Sequence, residues 1–393
     1  MTKRICPSCG HRGMRMFYES RGVSAHSVLI FNTREEAISY PKGDIVLGFC
    51  GACGFVSNVT FDPSLHQYSQ KYEETQGFSA KFRQFHEELA GDLINRYDLH
   101  KKRIIEIGCG KGEFLSLLCE MGNNRGVGFD PAYVVERNHS PARDRMKFVQ
   151  DFYSEKHTKY HGDFVCCKMT LEHIHPTAEF MRTVRRSIGD RPDTVIFFQV
   201  PDLPRILRER AFWDIYYEHC SYFAPGSLAR LFRRTGFDVL ETWTAYQNQY
   251  LMIEARPGKA VEPSNEEDDE DVRALWTEIA DFAAHSSAKI DAWKNDLAQM
   301  KQQGRRVVVW GGGSKGVTLL TTLGVTDEIA YAVDVNPHKH GTFMAGTGHE
   351  VVSPQFLKDY RPHVVIVMNP VYVEEISRDL RDMGLRPRLI PVQ

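Results

Sequence analysis

"RIIEIGCGKGEFLSLLCEMG", residues Arg103 to Gly122, is the stretch that decides the fold of this chain. An apolar run is followed by three closely spaced glycines and then by apolar residues at helical spacing. This order predicts a strand, a glycine turn and a helix. Because glycines let the backbone approach a ligand closely, the stretch predicts a Rossmann-like α/β domain with a ligand at the turn.

The residues after this stretch continue the alternation of strands and helices. "RGVGFDPA" (Arg125 to Ala132) predicts the next strand, and Asp130 at its end suits hydrogen bonds to both hydroxyls of a ribose. "DFVCCKM" (Asp163 to Met169) and "DTVIFFQV" (Asp193 to Val200) are continuous apolar runs, as expected for central strands of a covered parallel sheet. "LARLFRRTGFDVLETW" (Leu228 to Trp243) predicts a helix and a late strand.

The spacing of the glycine turn differs from the dinucleotide-binding fingerprint. It resembles the E-x-G-x-G-x-G signature of class I methyltransferases that use S-adenosylmethionine. This resemblance implies that "QDFY" supplies an acid and an apolar face around adenine. The residues predicted to bind the cofactor are Glu106, Gly108, Gly110, Gly112, Asp130, Asp151 and Phe152. Another ligand of a Rossmann-like fold remains an alternative.

Two cysteine pairs near the N-terminus predict a metal site. They are Cys6-Pro-Ser-Cys9 and Cys50-Gly-Ala-Cys53, and a spacing of two residues lets one tight turn present both sulfurs to one ion. Four thiolates form a closed tetrahedral zinc site with a structural role, and the segment between the pairs is expected to form a small hairpin. Iron or a vestigial site are the alternatives. The chain has nine cysteines, an odd number, which favours buried thiols and a metal over disulfides.

Two polar segments follow predicted strands, at the sheet edge where ligands of open α/β sheets bind. "KMTLEHIHP" (Lys168 to Pro176) carries His173, which is expected near the methyl group or, alternatively, as a helix cap. "DIYYEHCSYF" runs from Asp214 to Phe223. If that segment is extended, Tyr216, Glu218 and Tyr222 alternate with Tyr217, His219 and Phe223, so at most half of them face a site. A polar loop is the alternative.

A second α/β unit begins at "RRVVVWGGGSKGVTLLTTLG" (Arg305 to Gly324). Its Gly311 to Gly316 turn matches G-x-G-x-x-G, and Asp334 closes the next predicted strand, which together form the nicotinamide fingerprint. Lys315 within the turn favours contact with a phosphate, because an ammonium and backbone N–H groups then share the negative charge. Nicotinamide binding and a purely structural turn remain open.

Composition narrows the classes of function and the organisation of the chain. The chain has 393 residues, a formal net charge of −2 and a pI of about 6.8, so no basic field favours nucleic acid or a membrane surface. No apolar run approaches the roughly 18 residues of a spanning helix, and no export signal is seen, so we expect a cytoplasmic protein. The acidic stretch Val261 to Val272 predicts a solvated linker, and a helix is expected from about Arg273 to Gln303. The predicted units are a zinc-binding domain (1–70), a methyltransferase domain (71–260), the linker and helices (261–303) and a Rossmann-like substrate-binding domain (304–393).

In this order, the motifs resemble the zinc-containing sugar C-methyltransferases, whose type member is a C-3 methyltransferase of tetronitrose biosynthesis. The resemblance covers nearly the whole chain. "IYYEHCSYF" is similar to the family's I-Y-x-E-H-x-S-Y-F, "WGGGSKGVTLL" to its Y-G-A-x-A-K-G-x-T-L-L, and "VDVNPHKHGTFMAGT" to its V-D-x-N-P-x-K-x-G-x-x-x-P-G-T. It implies S-adenosylmethionine, structural zinc and methylation of the carbon beside the ketone of a nucleotide-linked deoxysugar.

The resemblance also implies roles for single residues. His219 falls on the base, Glu218 and Tyr216 orient it or the sugar, and His173 or Tyr72 gives polar support. The residues expected to bind the substrate are Lys315, which would hold the diphosphate, Ser314, Tyr222 and Asn369. The expected partner is a small molecule, and the chain is expected to be a monomer or a weak homo-oligomer.

Three departures weaken the prediction of the acceptor. The chain has "AYQNQYLMIEA" (Ala245 to Ala255) where many members carry G-G-S-[LI]-R, "VMNPVY" (Val367 to Tyr372) in place of a W-N motif, and Ala345 in place of a proline. The methyl-transfer machinery is therefore better supported than the acceptor. N- or O-methylation of a related small molecule or amino sugar, a nicotinamide-dependent activity and a non-catalytic scaffold remain alternatives.

Overall fold

A computed structural model of the chain describes residues 4–65, 68–261 and 270–393, and these contain three sheets. The strands are β1 (Arg15–Ser24), β2 (Lys42–Phe49), β3 (Val56–Asn58), β4 (Arg103–Ile107), β5 (Arg125–Phe129), β6 (Met146–Val149), β7 (Phe164–Lys168), β8 (Val195–Pro201), β9 (Ser221–Tyr222), β10 (Phe237–Ala245), β11 (Tyr250–Pro257), β12 (Val307–Trp310), β13 (Tyr331–Val333), β14 (Val351–Val352), β15 (Val364–Val367) and β16 (Arg388–Pro391). The helices are α1 (Arg34–Ser39), α2 (Ala80–Tyr97), α3 (Glu113–Met121), α4 (Thr177–Ile188), α5 (Leu203–Arg208), α6 (Pro225–Arg234), α7 (Glu270–Gln302), α8 (Ser314–Leu323), α9 (Leu357–Tyr360) and α10 (Val373–Asp382).

The central sheet confirms the predicted class I methyltransferase fold. Its order is β10-β11-β8-β7-β4-β5-β6, and its strands are parallel except at the β8, β11 and β10 edge. The apolar runs of β7 and β8 are buried, as their lack of alternation predicts. β4 lies between β5 and β7, so the chain changes direction across the sheet there and opens a crevice at the carboxyl ends of the strands.

The C-terminal sheet repeats this plan. Its order is β14-β13-β12-β15-β16, and all pairs are parallel. The chain adds β13 and β14 on one side of β12 and then β15 and β16 on the other side. The glycine turn after β12 therefore lies at the equivalent crevice. The predicted helix is α7, while residues 262–269 of the predicted acidic linker lie outside the described residues.

The N-terminal sheet is built around the predicted hairpin. β1 and β2 pair antiparallel between the two cysteine pairs, and β3 follows. The fourth strand, β9, comes from the distant Asp214 to Phe223 segment, with Val56 opposite Tyr222. The apolar face of α7 packs on this sheet and against α5 and α8, so one core joins the N-terminal and C-terminal units. Among the helices of the described ranges, none combines the length and the apolar character that crossing a membrane requires.

Candidate active site

A cavity of about 660 Å³ lies where the two glycine turns face each other. Gly108 and Gly110, after β4, line it from the central sheet, and Gly311 and Lys315, after β12, line it from the C-terminal sheet. Tyr72 closes it from the segment that precedes α2. The cavity therefore joins three parts of the chain that are distant in sequence.

The first glycine turn is shaped as a ligand cradle. Gly108 and Gly110 have φ values of 69° and 53°, and a Cβ on Gly108 would lie 2.1 Å from Thr170 Oγ1, so a larger residue does not fit. Asp130 accepts hydrogen bonds from Gly110 N–H at 2.9 Å and from Ala132 N–H at 2.7 Å. Burial raises the pKa of Asp130, and these two N–H groups oppose the rise. The bent turn and the carboxylate on the wall fit the amino-acid and ribose parts of S-adenosylmethionine.

The other predicted cofactor residues lie at different depths. Asp151 and Phe152 line the cavity; the Phe152 ring is 57% exposed, and Asp151 is ion-paired with Lys156. Glu106 is buried beneath the turn rather than on the wall, and burial raises its pKa to about 8 against the opposing charge of Lys168. Gly112 begins α3 with a φ of 82°. Glu106 and Gly112 thus shape the turn from behind, away from the cavity wall.

We expect Asp130→Ala to weaken binding of S-adenosylmethionine by roughly 1.5–3 kcal/mol, the usual value of hydrogen bonds to a charged group. Asp130→Asn is the matched variant, because it removes the charge but keeps one acceptor oxygen, so only one of the Gly110 and Ala132 N–H groups loses its partner. Titration calorimetry measures the affinity, and thermal unfolding checks that the fold is kept. An unchanged affinity in both variants would show that Asp130 does not contact the cofactor.

A cluster of aromatic and imidazole rings lies between the two glycine turns. His173 ends a short 3₁₀ turn after β7, and its ring centre is 4.7 Å from that of His219, at 88°. The Tyr216 and His219 ring centres are 4.0 Å apart, and the Tyr68 hydroxyl is 2.8 Å from His173 Nδ1. All four residues line the cavity. The structure therefore brings Tyr216, His173 and His219 together, which agrees with the family resemblance.

Residues Tyr216 to His219 form a turn, so the alternation expected for an extended segment does not hold for them. The Tyr216 carbonyl accepts a hydrogen bond from His219 N–H at 3.1 Å, which closes a turn and brings both side chains to the cavity side. Glu218, between them, lies behind the wall, 2.7 Å from His26 Nδ1 and hydrogen-bonded to Ser27. Tyr222 is likewise buried behind the wall, in β9.

The second glycine turn presents a lysine whose charge is partly compensated. Lys315 Nζ lies 2.9 Å from Asp214 Oδ1, and Arg205 reaches the other oxygen of Asp214 at 2.6 Å. Burial alone would raise the pKa of Asp214, but Lys315 and Arg205 hold it at about 2. Two cations and one carboxylate thus border the cavity, and the partly exposed Glu209 contacts Arg205 from outside it.

The remaining predicted substrate residues also lie at this end of the cavity. The Ser314 hydroxyl is 2.7 Å from that of Ser27, and the Asn369 amide is 2.9 Å from that of Gln249. Asp334, the acid of the nicotinamide fingerprint, accepts from Gly312 N–H at 3.0 Å and lies 3.4 Å from Lys339.

Several cavity residues were not predicted from the sequence. Tyr68 lies four residues before the predicted Tyr72, so the position of Tyr72 carried a usable signal. Gln249 contacts Lys315, and Arg205 contacts the Asp214 carboxylate that pairs with Lys315. These contacts depend on the packing of α5 and of the β10–β11 turn, which no sequence spacing indicates. Lys168 also lines the cavity, and burial lowers its pKa to about 8 against the opposing charge of Glu106.

The four paired cysteines form a compact cluster. The Cys6 and Cys53 sulfurs are 3.8 Å apart, and those of Cys9 and Cys50 are 3.6 Å apart. A tetrahedron with metal–sulfur bonds of about 2.3 Å has edges of roughly 3.8 Å. The cluster therefore fits a zinc ion. None of these four residues lines the cavity.

Two family models match the chain in succession. A methyltransferase domain matches residues 79–242, and a C-methyltransferase C-terminal domain matches residues 252–386. The two matches together show an S-adenosylmethionine-dependent methyltransferase. This methyltransferase is similar to C-methyltransferase NovU of Streptomyces niveus, with 28% identity over 299 residues, which are 70% of this chain and 67% of NovU.

Solved methyltransferase structures align with less than half of the chain. The 1,6-didemethyltoxoflavin-N1-methyltransferase of Burkholderia thailandensis is 16% identical, with a TM-score of 0.34, covering 44% of this methyltransferase and 79% of that chain. The magnesium protoporphyrin IX methyltransferase of Synechocystis PCC 6803 is 14% identical, with a TM-score of 0.35, covering 45% of this methyltransferase and 84% of that chain.

Proposed function

We propose that this methyltransferase adds a methyl group to the carbon beside the ketone of a nucleotide-linked sugar, with His219 as the base. The observation that carries this proposal is the single cavity that holds the cofactor turn, the imidazole cluster and the Lys315 turn. Methylation of a large anionic acceptor requires a methyl donor, a base and an anion-binding region within one cavity. The match to a C-methyltransferase C-terminal domain and the similarity to NovU support the choice of carbon.

Carbon becomes a nucleophile only after it loses a proton, and a neighbouring ketone makes that loss feasible by forming an enolate. Histidine suits the task because its ordinary pKa, near 6.5, lies close to neutral pH. Tyr216 and His173 lie beside His219 and are suited to donate a hydrogen bond to the enolate oxygen. S-adenosylmethionine, when bound, supplies the methyl group on a sulfonium, which must lie in line with the carbanion.

The nucleotide is assigned to the C-terminal end of the cavity. Lys315, Ser314 and Asn369 border it there, with Arg205 behind Lys315. The N-terminus of α8 begins at Ser314, so its free N–H groups also favour a phosphate at this point. The expected ligand of this end is a diphosphate that bridges the sugar and the nucleoside.

We expect Lys315→Met to raise the KM for the nucleotide-sugar at least roughly tenfold, because a charge-assisted contact to phosphate is lost. Lys315→Arg is the matched control, since it keeps a cation next to Asp214. Calorimetry with a nucleoside diphosphate and, separately, with S-adenosylmethionine distinguishes the two ends of the cavity. Loss of cofactor affinity with unchanged diphosphate affinity would reverse this assignment.

The zinc proposal concerns the N-terminal unit. Zinc held by Cys6, Cys9, Cys50 and Cys53 would anchor the two ends of the β1–β2 hairpin. The sheet built on that hairpin pairs with β9, and His26 and Ser27 at its end contact Glu218. Zinc thus supports the turn that carries His219 from a distance, and its role is structural.

The test is a panel of nucleotide-linked sugars followed by mass spectrometry of the products. A keto-sugar should gain one methyl group on carbon. With S-adenosylhomocysteine in place of the methyl donor, the acceptor carbon should exchange its proton for deuterium from the solvent, because deprotonation needs no donor. Methylation of nitrogen on an amino sugar, with no keto-sugar accepted, would overturn the proposal.

A further inference from the structure

We propose that Glu172 is the positioning residue of His219, holding a proton on one imidazole nitrogen and thereby strengthening the other as a base. This inference rests on the proposed role of His219 and deepens it. Glu172 does not line the cavity and touches no part of the acceptor; it acts through the histidine.

The geometry of Glu172 carries the inference. Its side chain is fully buried, and its Oε1 lies 4.0 Å from His219 Nε2. Neither carboxylate oxygen has a hydrogen-bond partner among the described residues. A buried carboxylate without a partner is costly, and a neighbouring imidazolium removes that cost. A distance of 4.0 Å is longer than a hydrogen bond, but catalytic hydrogen bonds often tighten only when the substrate complex forms.

The backbone holds Glu172 in this position. It lies in the middle of the short 3₁₀ turn Leu171–His173, and its carbonyl accepts a hydrogen bond from the Cys220 thiol at 3.3 Å. Because Cys220 follows His219 directly, this contact joins the turn after β7 to the turn that carries His219. The two side chains are thus fixed relative to each other through the main chain.

The surroundings of the pair contain few charges. The titratable groups that face it are His173, Tyr68, Tyr216, Tyr222, Cys167 and Cys220. No lysine or arginine in the described ranges forms an ion pair with Glu172. Burial raises the pKa of Glu172 to about 8, so its ionised form needs a neighbouring positive charge, such as the imidazolium of His219, to be stabilised at neutral pH.

In the proposed cycle, His219 begins neutral with its proton on Nε2 toward Glu172. Because Nδ1 is buried at the edge of the cavity, the acceptor must pack against the His219 ring to reach it. The proton leaving the acceptor carbon then moves to Nδ1, and the imidazolium that forms is stabilised by the carboxylate. This is the division of roles between a histidine base and its acidic partner in hydrolase triads. A carboxylate beside an imidazole raises its pKa, so we expect the active neutral form of His219 to appear only at higher pH.

The test is the titration of His219 by NMR, in full-length protein with labelled histidine and bound S-adenosylhomocysteine. The spectrum of His219→Asn assigns the resonance among the sixteen histidines. Glu172→Gln should lower the pKa of His219 by about one unit or more, the usual effect of removing a nearby opposite charge. Glu172→Asp keeps the carboxylate and should retain most of that pKa; it also serves if the glutamine variant does not fold. Two results would overturn the inference. One is an unchanged titration of His219 in a folded Glu172→Gln variant. The other is a pKa of His219 that is as low in Glu172→Asp as it is in Glu172→Gln.

A kinetic measurement adds an independent readout. Glu172→Gln should lower kcat roughly 10–100-fold, keep KM within about twofold and shift the rise of the rate with pH to lower pH. Glu254→Gln is the matched control, because Glu254 is a buried carboxylate outside the cavity that binds Tyr97 and Arg96. Its pH profile should stay that of the wild type. If a keto-sugar exchanges deuterium but replacing Glu172 does not change the titration of His219, the proposed function stands and this inference is rejected. If replacing Glu172 changes that titration but no keto-sugar is accepted, this inference stands and the proposed function is rejected.

Discussion

Replacing His219 with asparagine should lower the rate of methyl transfer by roughly 10²–10⁴-fold, the usual contribution of a general base. The His219 ring contacts both other rings of the cluster, with ring centres 4.0 Å from Tyr216 and 4.7 Å from His173. Its replacement removes the proposed proton acceptor from the cavity. Binding of S-adenosylmethionine should be unchanged, because the cofactor turn lies after β4 and does not involve this residue.

His349→Asn is the control for this experiment. His349 is also buried, and its Nε2 contacts the Ile329 carbonyl at 3.1 Å, but it does not line the cavity. The deuterium exchange assay then separates the base from its neighbours. Exchange that persists undiminished in the His219 variant would give the role of the base to another group, with the cavity residue His173 next in line.

Replacing Cys50 with serine should remove the metal and destabilise the N-terminal unit severely. Structural zinc in small domains contributes apparent binding free energies of about 10–16 kcal/mol, which match or exceed the whole stability of a typical domain. We expect about one zinc per chain in protein purified without added metal, and almost none in the variant. Metal analysis and thermal unfolding measure the two effects.

Cys119→Ala is the control for the zinc experiment. Cys119 is buried in α3, in a core that does not include the cysteine cluster, so its replacement should cost only what a small core truncation costs. Wild-type protein that is free of metal yet fully folded in its N-terminal unit would contradict the zinc proposal. Loss of activity in the Cys50 variant alone would not support it without loss of the metal.

The sequence predicted the scaffold well because its signals are local. The glycine turn after β4 and the continuous apolar runs of β7 and β8 each depend on residues that are close along the chain. Gly108 and Gly110 both have positive φ values, and Thr170 lies close to Gly108, so these positions favour glycine. The glycines in the sequence therefore indicated the turn. The cysteine pairs indicated one cluster because their spacing fits one ion.

The orientation of the catalytic segment was not predictable in the same way. Alternation along Asp214 to Phe223 placed Tyr216 and Glu218 on one face and His219 on the other. In the structure, a turn from Tyr216 to His219 brings both of these side chains to the cavity side. The turn lets the segment that follows β8 also supply β9 to the N-terminal sheet. The roles of the individual residues in catalysis and binding stay predictions until the variants above are measured.

By itself, the sequence determined the fold class, the use of S-adenosylmethionine and the elements on which the predicted site residues lie. Only the tertiary structure decided which side chains share the cavity: it set Glu218 behind the wall, Glu172 beside His219 and Arg205 beside Lys315 through Asp214. The physical reason is that local patterns report the backbone, whereas contacts between distant segments depend on how three sheets pack together. The spacing of residues along the chain does not indicate how these sheets pack.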